Sequence, residues 1–202
     1  MQTTIGILGA GNVARALANL LRAAGFSVQL SQRDNKANPD TVTFEEAATA
    51  EIVIIAIPYL ACAEVLPALN PQLHGKIVID ATNPLNADWS PLSFADTSSA
   101  AEEIAKLLPG SRVVKAFNTV FADVMKSTRL QPGSAKVSSF IASDDARASE
   151  HVAQIADAVG FAAVIVGPLR LARYLEAIAH LNIAIAVGMG GGTQAAFVFN
   201  RG

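Results

Sequence analysis

With 202 residues, 51% apolar and 16% charged, the chain has material for one buried core and is short for two full domains. Its formal net charge of -2 and the lack of any long basic run leave no electrostatic footprint for a polyanion, so no nucleic-acid partner is expected. The single cysteine, Cys62, excludes an intrachain disulfide and a cysteine-built metal site and agrees with a reducing, cytoplasmic setting.

Met1 leads into an apolar run with no basic leader, so no signal peptide is expected. Seven β-rich runs, at residues 3–8, 26–31, 52–57, 76–80, 112–116, 137–142 and 161–166, alternate with helical patterns at 12–24, 59–69, 98–108, 145–159 and 171–187. Most of the strand runs are too continuously apolar to have a wet face. They predict an α/β fold, a doubly wound and mostly parallel sheet of the Rossmann type with helices on both sides. The reading is of one domain over 1–202, with a core to residue 166 and a C-terminal helix and glycine-rich tail over 167–202.

The first strand ends in Gly9-Ala10-Gly11-Asn12-Val13-Ala14, a G-x-G-x-x-A pattern that runs into an amphipathic helix. Gly9 permits a tight turn, Gly11 lets a pyrophosphate approach the backbone, and small Ala14 lets the helix close on the sheet. The free N–H groups at the helix start, from Asn12 and Val13 onward, then face the phosphates. A glycine at position 25 stands where the helix should end.

The second strand closes with Leu30-Ser31-Gln32-Arg33. An NAD-binding chain usually places an acid at that point, against the ribose 2'-hydroxyl. Here Ser31 and Arg33, with Lys36 adding a further cation, fit a 2'-phosphate, so NADP(H) is the expected cofactor. Asp34 is the residue that opposes this reading.

Ligands on such sheets bind beyond the carboxyl ends of the strands. The segments there are Ile57-Pro58-Tyr59, Ala81-Thr82-Asn83-Pro84 and Ala116-Phe117-Asn118-Thr119. Ile57, Pro58 and Phe117 can flank a flat ring, and Thr82, Asn83 and Asn118 can bond its carboxamide. For each residue alone a turn or a helix cap is an equally good account.

No histidine is well placed as a proton donor. His74 precedes a strand, His151 falls in a polar helical pattern, and His180 falls in an apolar one, where a core histidine is expected. Tyr59 and Lys115 are candidates without further support. The lack of a clear acid points toward a flavin or deazaflavin acceptor, whose own ring carries the chemistry.

The late stretch 177–187 has no charge. It predicts a helix buried nearly all round, in the core or against a second copy in a homodimer. It counts as too short to span a bilayer, so no membrane partner is expected. The glycine-rich residues 188–192 read either as a plain turn or as a loop over the ring. Glu176 and His180 share a helix face but have no third ligand, so no metal is expected.

Taken together, Ile5-Gly6-Ile7-Leu8-Gly9-Ala10-Gly11-Asn12-Val13, the 31–36 segment, Ala56-Ile57-Pro58-Tyr59, Asp80-Ala81-Thr82-Asn83-Pro84, Lys115-Ala116-Phe117-Asn118-Thr119 and Gly167-Pro168-Leu169 resemble the F420-dependent NADP oxidoreductase family. They are also similar to the related dinucleotide domain of the STEAP ferric reductases. The resemblance implies NADPH held at Asn12, Val13, Ser31, Arg33, Ile57 and Pro58, with an acceptor ring of F420, FMN or FAD type stacked on the nicotinamide. Such proteins often carry a Ser-Arg pair where this chain has Ser31-Gln32-Arg33, so Arg33 must supply the charge. Two other readings use the same residues: a non-catalytic NADP(H)-binding redox-sensing module, and a reductase of a small carbonyl or imine with Tyr59 or His180 as proton donor.

Overall fold

Each of the seven apolar runs forms a strand. The computed structural model describes residues 3–33, 40–92, 97–126 and 136–200. The strands are β1 (Thr4–Leu8), β2 (Ser27–Ser31), β3 (Ile52–Ile55), β4 (Ile77–Asp80), β5 (Arg112–Lys115), β6 (Ser138–Ser143) and β7 (Ala162–Gly167). They make one sheet in the order β2-β1-β3-β4-β5-β6-β7. Central β3 and β4, Ile52-Val53-Ile54-Ile55 and Ile77-Val78-Ile79-Asp80, are buried at every position. Covered on both faces, they use β-branched residues without alternation. Edge strand β2 is partly exposed.

Helices cover both faces. On one side α1 (Asn12–Ala23), α5 (Ala122–Met125) and α6 (Ala146–Ala158) bury Leu17, Leu21, Val124, Val152 and Ile155. On the other, α2 (Phe44–Ala47), α3 (Cys62–Leu73), α4 (Ala100–Leu107) and α7 (Ala172–Ile183) bury Ala47, Leu66, Leu69, Ile104 and Leu175. Four-residue α2 and α5 are too short to show a helical period in sequence. The first is fixed by a capping box, Thr43 with Glu46, which satisfies end N–H groups reciprocally. A single 3-10 turn, Tyr59–Ala61, leads into α3.

Strand pairing is parallel from β2 through to β5, but β5 and β6 pair antiparallel, through Val114 with Ser143 and Lys115 with Ala142. β6 and β7 are parallel to each other, so both run against the rest. The start of β6 therefore lies on the edge where β1 and β3 to β5 end, and α7, which follows β7, runs back toward that edge.

The core alone does not bury the last helix all round: Tyr174, Leu181, Ile185 and Val187 are exposed, because only the side carrying Leu175, Ala179 and Ile183 meets the core. The helix also outruns the apolar stretch 177–187, since a 3-10 turn at Leu169–Leu171 and a π-turn at Ala184–Gly188 extend it. The resulting 20-residue stretch Leu169–Gly188 is long and apolar enough to cross a membrane by length and composition. Two of its charges are engaged within the fold, however: Arg173 forks onto Glu102 at 2.8 Å on both nitrogens, and Glu176 points inward.

Glu176 belongs to a buried ionic cluster. Lys115 Nζ sits 2.8 Å from Asp80 Oδ2, 2.8 Å from Glu176 Oε1 and donates to the Thr82 carbonyl at 2.6 Å. All three side chains are at most 1% exposed. The ammonium thus has an acceptor for each of its three protons. Asp80 also accepts from Thr82 N, and Glu176 from Ala100 N and Ala101 N at the start of α4. Burial alone would lower the Lys115 pKa, but the two carboxylates outweigh it and hold the ammonium above its ordinary value. Burial, aided by the charge of Asp80, pushes Glu176 up despite its lysine partner.

Replacing Lys115 by Met leaves two buried carboxylates without a counter-ion and is expected to cost about 3–5 kcal/mol in chemical denaturation. Glu176→Gln should cost much less. Because the folded-state pKa of Glu176 is raised, its protonation favours the folded state below the ordinary glutamate value, and that contribution is lost as pH rises through the folded pKa. The stability difference between wild type and Glu176→Gln should therefore move in favour of Glu176→Gln as pH rises above the ordinary glutamate range.

Candidate functional site

In the sheet, β1 has β2 on one side and β3 on the other, so the strand order reverses at the ends of β1 and β3. That is the place where open α/β sheets bind ligands. A cavity of about 560 Å³ opens there, within the range of small-molecule sites. Its lining includes Gly11, Asn12 and Val13 from the turn after β1, Ile57, Pro58 and Tyr59 after β3, Thr82 and Asn83 after β4, and Phe117 and Asn118 after β5.

The two glycines of the turn do different work. A Cβ on Gly9 would lie 2.4 Å from the Ala56 carbonyl oxygen, and its φ is 129°, so the chain itself requires glycine where β1 and β3 leave the sheet together. At Gly11 the backbone is ordinary and extended, with φ -75°, and a Cβ would meet nothing within 4 Å. Neither conformation nor protein contact demands a glycine there. The open space is what a phosphate approaching the backbone needs. Helix α1 has no side-chain cap and no acid in its first turn, leaving its N–H groups unclaimed and its positive end without a competing carboxylate. Ala14 is fully buried against the sheet.

At the end of β2 the placement differs from expectation. Ser31 is fully buried, and its Oγ donates to the Ile7 carbonyl at 2.8 Å, while its own carbonyl accepts from Gly9 N. It braces the turn and does not face the cleft. Arg33 is exposed and pairs with Glu64 of α3 at 3.1 Å, the two side chains 62% and 70% exposed. Such a pair is worth little in water and yields readily to a stronger anion. Lys36 and Asp34 lie outside the described residues.

The floor of the cleft is also rearranged. Asn83 and Asn118 do not both point at a ligand: Asn83 Nδ2 donates to the Asn118 carbonyl, and Asn118 Nδ2 donates to Asn83 Oδ1 and the Leu175 carbonyl. Two buried atoms beside them, Asn118 Oδ1 and Thr82 Oγ1, have no partner. Orphaned polar atoms are costly in an interior and call for an explanation, and here both belong to residues lining the cavity. Phe117 lines the cavity but offers it little of its ring. Its side chain is 1% exposed and packs on Phe161 at 5.8 Å between ring centroids. Its φ of 65° is strained for a bulky residue, and the strain turns the chain sharply just before Asn118.

The candidate proton donors fare poorly. Tyr59 lines the cavity, but burial and the nearby Glu103 raise its pKa to about 12. Burial lowers the pKa of His180, whose ring bonds the Pro84 backbone while its Nε2 is buried without a partner. Lys115 is sealed in the ionic cluster beneath the cleft. Glu176 is held by that same cluster and so does not act with His180.

The sequence reading did not include the far wall. Leu85, Asn86 and Trp89 rise from the loop after β4, Val120, Phe121 and Asp123 come from the approach to α5 and its first turn, and Ala179, Asn182 and Ile183 from α7. Thr193 completes this wall and donates to Asp123 Oδ2 at 2.6 Å. The preceding residues 188–192 act as a helix cap, their backbone N–H groups returning to the carbonyls of Ala184, Ile185 and Ala186.

The sequence profile of the coenzyme F420-dependent NADP oxidoreductases matches residues 4–84. The F420-dependent NADP reductase of Methanothermobacter thermautotrophicus is 30% identical over 173 residues, covering 82% of this chain and 73% of that protein. The metalloreductase STEAP3 of Rattus norvegicus is 35% identical over 182 residues, covering 86% of this chain. This chain spans about a third of the length of such metalloreductases, 36% in that case. A crystal structure from Arthrobacter sp. FB24, provisionally described as an F420-dependent NADP reductase, superposes with a TM-score of 0.87 at 28% identity, over 98% of this chain and 99% of that one.

The two glycines give separable outcomes. Gly9→Ala is expected to lower the denaturation midpoint. Gly11→Ala should change folding stability by no more than about 0.5 kcal/mol, yet weaken NADPH binding by about tenfold or more in a calorimetric titration. Equal NADPH affinity in Gly11→Ala and wild type would remove the phosphate from that turn.

Proposed function

The chain belongs to the coenzyme F420-dependent NADP oxidoreductase family, and on that premise we propose that it is an NADPH-dependent oxidoreductase whose acceptor is a flavin or deazaflavin ring. The observation that carries this reading is the cavity itself. It joins an anion-ready glycine turn to a mainly apolar chamber, and among the described residues the two candidate acids, Tyr59 and His180, have pKa values shifted away from that role.

The residues fit the cofactor. Gly11, Asn12 and Val13 would receive the pyrophosphate, Arg33 would leave Glu64 for the 2'-phosphate, and Ile57 and Pro58 would bracket the nicotinamide side. The unpartnered Asn118 Oδ1 and Thr82 Oγ1 suit a carboxamide. When bound, NADPH supplies a hydride from the nicotinamide C4, and a flavin or deazaflavin ring takes it up. What the chain contributes is alignment and exclusion of water: the Asn83–Asn118 exchange and the Lys115 bond to the Thr82 carbonyl fix the floor on which two rings must register, which is the main demand of such a transfer. A small carbonyl or imine would need an acid, and the raised pKa of Tyr59 and lowered pKa of His180 argue against either as one. The acceptor could be F420, FMN or FAD in kind.

The same reading includes a cytoplasmic homodimer. Exposed Tyr174 and Leu181 of α7 and Ile185 of the turn that extends it lie on one side at helical spacing, an apolar patch of the sort a second copy covers. Leu181→Glu is expected to shift the species seen in light scattering from dimer to monomer.

Purified protein mixed with NADPH and, in turn, F420, FMN, FAD and a ferric chelate should consume NADPH with at least one ring acceptor, followed at the NADPH absorbance band. Tight NADPH binding with no acceptor reduced would favour the redox-sensing module instead. Arg33→Ala should narrow the preference for NADPH over NADH by about tenfold or more. An unchanged preference would detach Arg33 from the 2'-phosphate.

A further inference from the structure

Trp89 is the only tryptophan of the chain, and it stands at the rim of the cavity with 54% of its surface exposed. Its φ is 69°, a conformation that bulky side chains rarely adopt and that glycine or asparagine would take more easily. The loop holding it is tightly tied. Leu85 bridges to Pro91, Leu92 N donates to the Pro84 carbonyl, and Trp89 N closes a turn onto the Asn86 carbonyl at 3.1 Å. Asn86 Nδ2 donates to Ser90 Oγ at 3.0 Å, and Ser90 donates in turn to Asp88. The base of this loop is Asn83-Pro84 on the cleft floor, where the His180 ring bonds the Pro84 backbone and so links the loop to α7.

A strained backbone, a self-bonded loop and a half-exposed indole have no account in packing, since the indole is not buried. From these we infer that Trp89 is the aromatic wall against which the acceptor's fused ring packs, and that it sets the preference for extended planar acceptors. This rests on the proposed ring-acceptor chemistry. Phe121 and Ile183 line the same cavity and give it apolar surface, alongside the phosphate-ready turn and Thr82 and Asn118 with their orphaned atoms. Indole faces stack well on flat heteroaromatic rings, and a rigidly held platform loses little freedom on binding.

The lone tryptophan makes the test direct. Oxidised FMN and oxidised F420 are titrated separately into protein saturated with NADP+, with free tryptophan amide as the absorption control. The expected result is saturable static quenching with at least one of them, in which emission intensity falls while the lifetime of the remaining emission is unchanged. In turnover, Trp89→Leu should raise the KM for the ring acceptor about tenfold or more and leave kcat and NADPH affinity near wild type, while Trp89→Phe should restore most of the loss. Emission unquenched by both rings, or a Trp89→Leu KM equal to wild type, overturns the platform even if NADPH is consumed. Static quenching without NADPH consumption upholds the platform and overturns the hydride-transfer reading.

Discussion

The cleft depends on one buried ammonium. Lys115 ends β5, Asp80 ends β4 and Glu176 comes from α7, and the contact among them joins three elements that are distant in sequence. Burying charge is expensive, and an ion pair in an interior offsets that cost only when every remaining donor and acceptor is satisfied. Here that condition is met, because the third proton of the ammonium goes to the Thr82 carbonyl, the spare carboxylate oxygens take N–H groups from Thr82 and Ala100, and Ala101 N donates to the Glu176 oxygen that also faces Lys115. The cluster fixes where the segment after β4 leaves the sheet. It thereby fixes the Asn83–Asn118 exchange and the base of the Trp89 loop.

Much of the fold was legible because its signals are local. Continuous Ile and Val runs announced the central strands, and the seven runs correspond to the seven strands to within two residues at either end. The glycine turn declared the first half of the cleft because it sits between a strand and a helix. What was not legible depends on pairing across the chain. The reversal of β6 leaves no mark in its own composition, since an apolar strand looks the same in either direction. The exposed side of α7 was invisible for a related reason: alanine, leucine and isoleucine occupy both its sides, so composition gives no polar stripe to mark the water-facing one.

The site residues divide along the same line. Gly11, Asn12, Val13, Ile57, Pro58 and Tyr59 follow strand ends directly and reach the cavity. Ser31 and Phe117 also follow or close strands, but whether their side chains turn inward depends on neighbours elsewhere in the chain, Ile7 and Phe161. The ionic cluster did leave a trace. A charge closing an apolar run, as Asp80 closes Ile77-Val78-Ile79 and Lys115 closes Val113-Val114, together with a lone acid in an apolar helix, is a pattern that calls for mutual neutralisation.

The reversed pair β6–β7 has a consequence for how such a protein can change over time. By turning the late part of the chain back to the cleft edge, it lets one domain build a second wall from its own tail, with Phe197 and Phe199 tied to Ser138 and Thr193 to Asp123. The glycine turn comes from the opening stretch of sequence, whereas the facing wall is assembled from residues contributed by the remainder. Substitutions in the later half can therefore reshape the chamber while the side built on the glycine turn stays intact. Inheritance can keep one while diversifying the other.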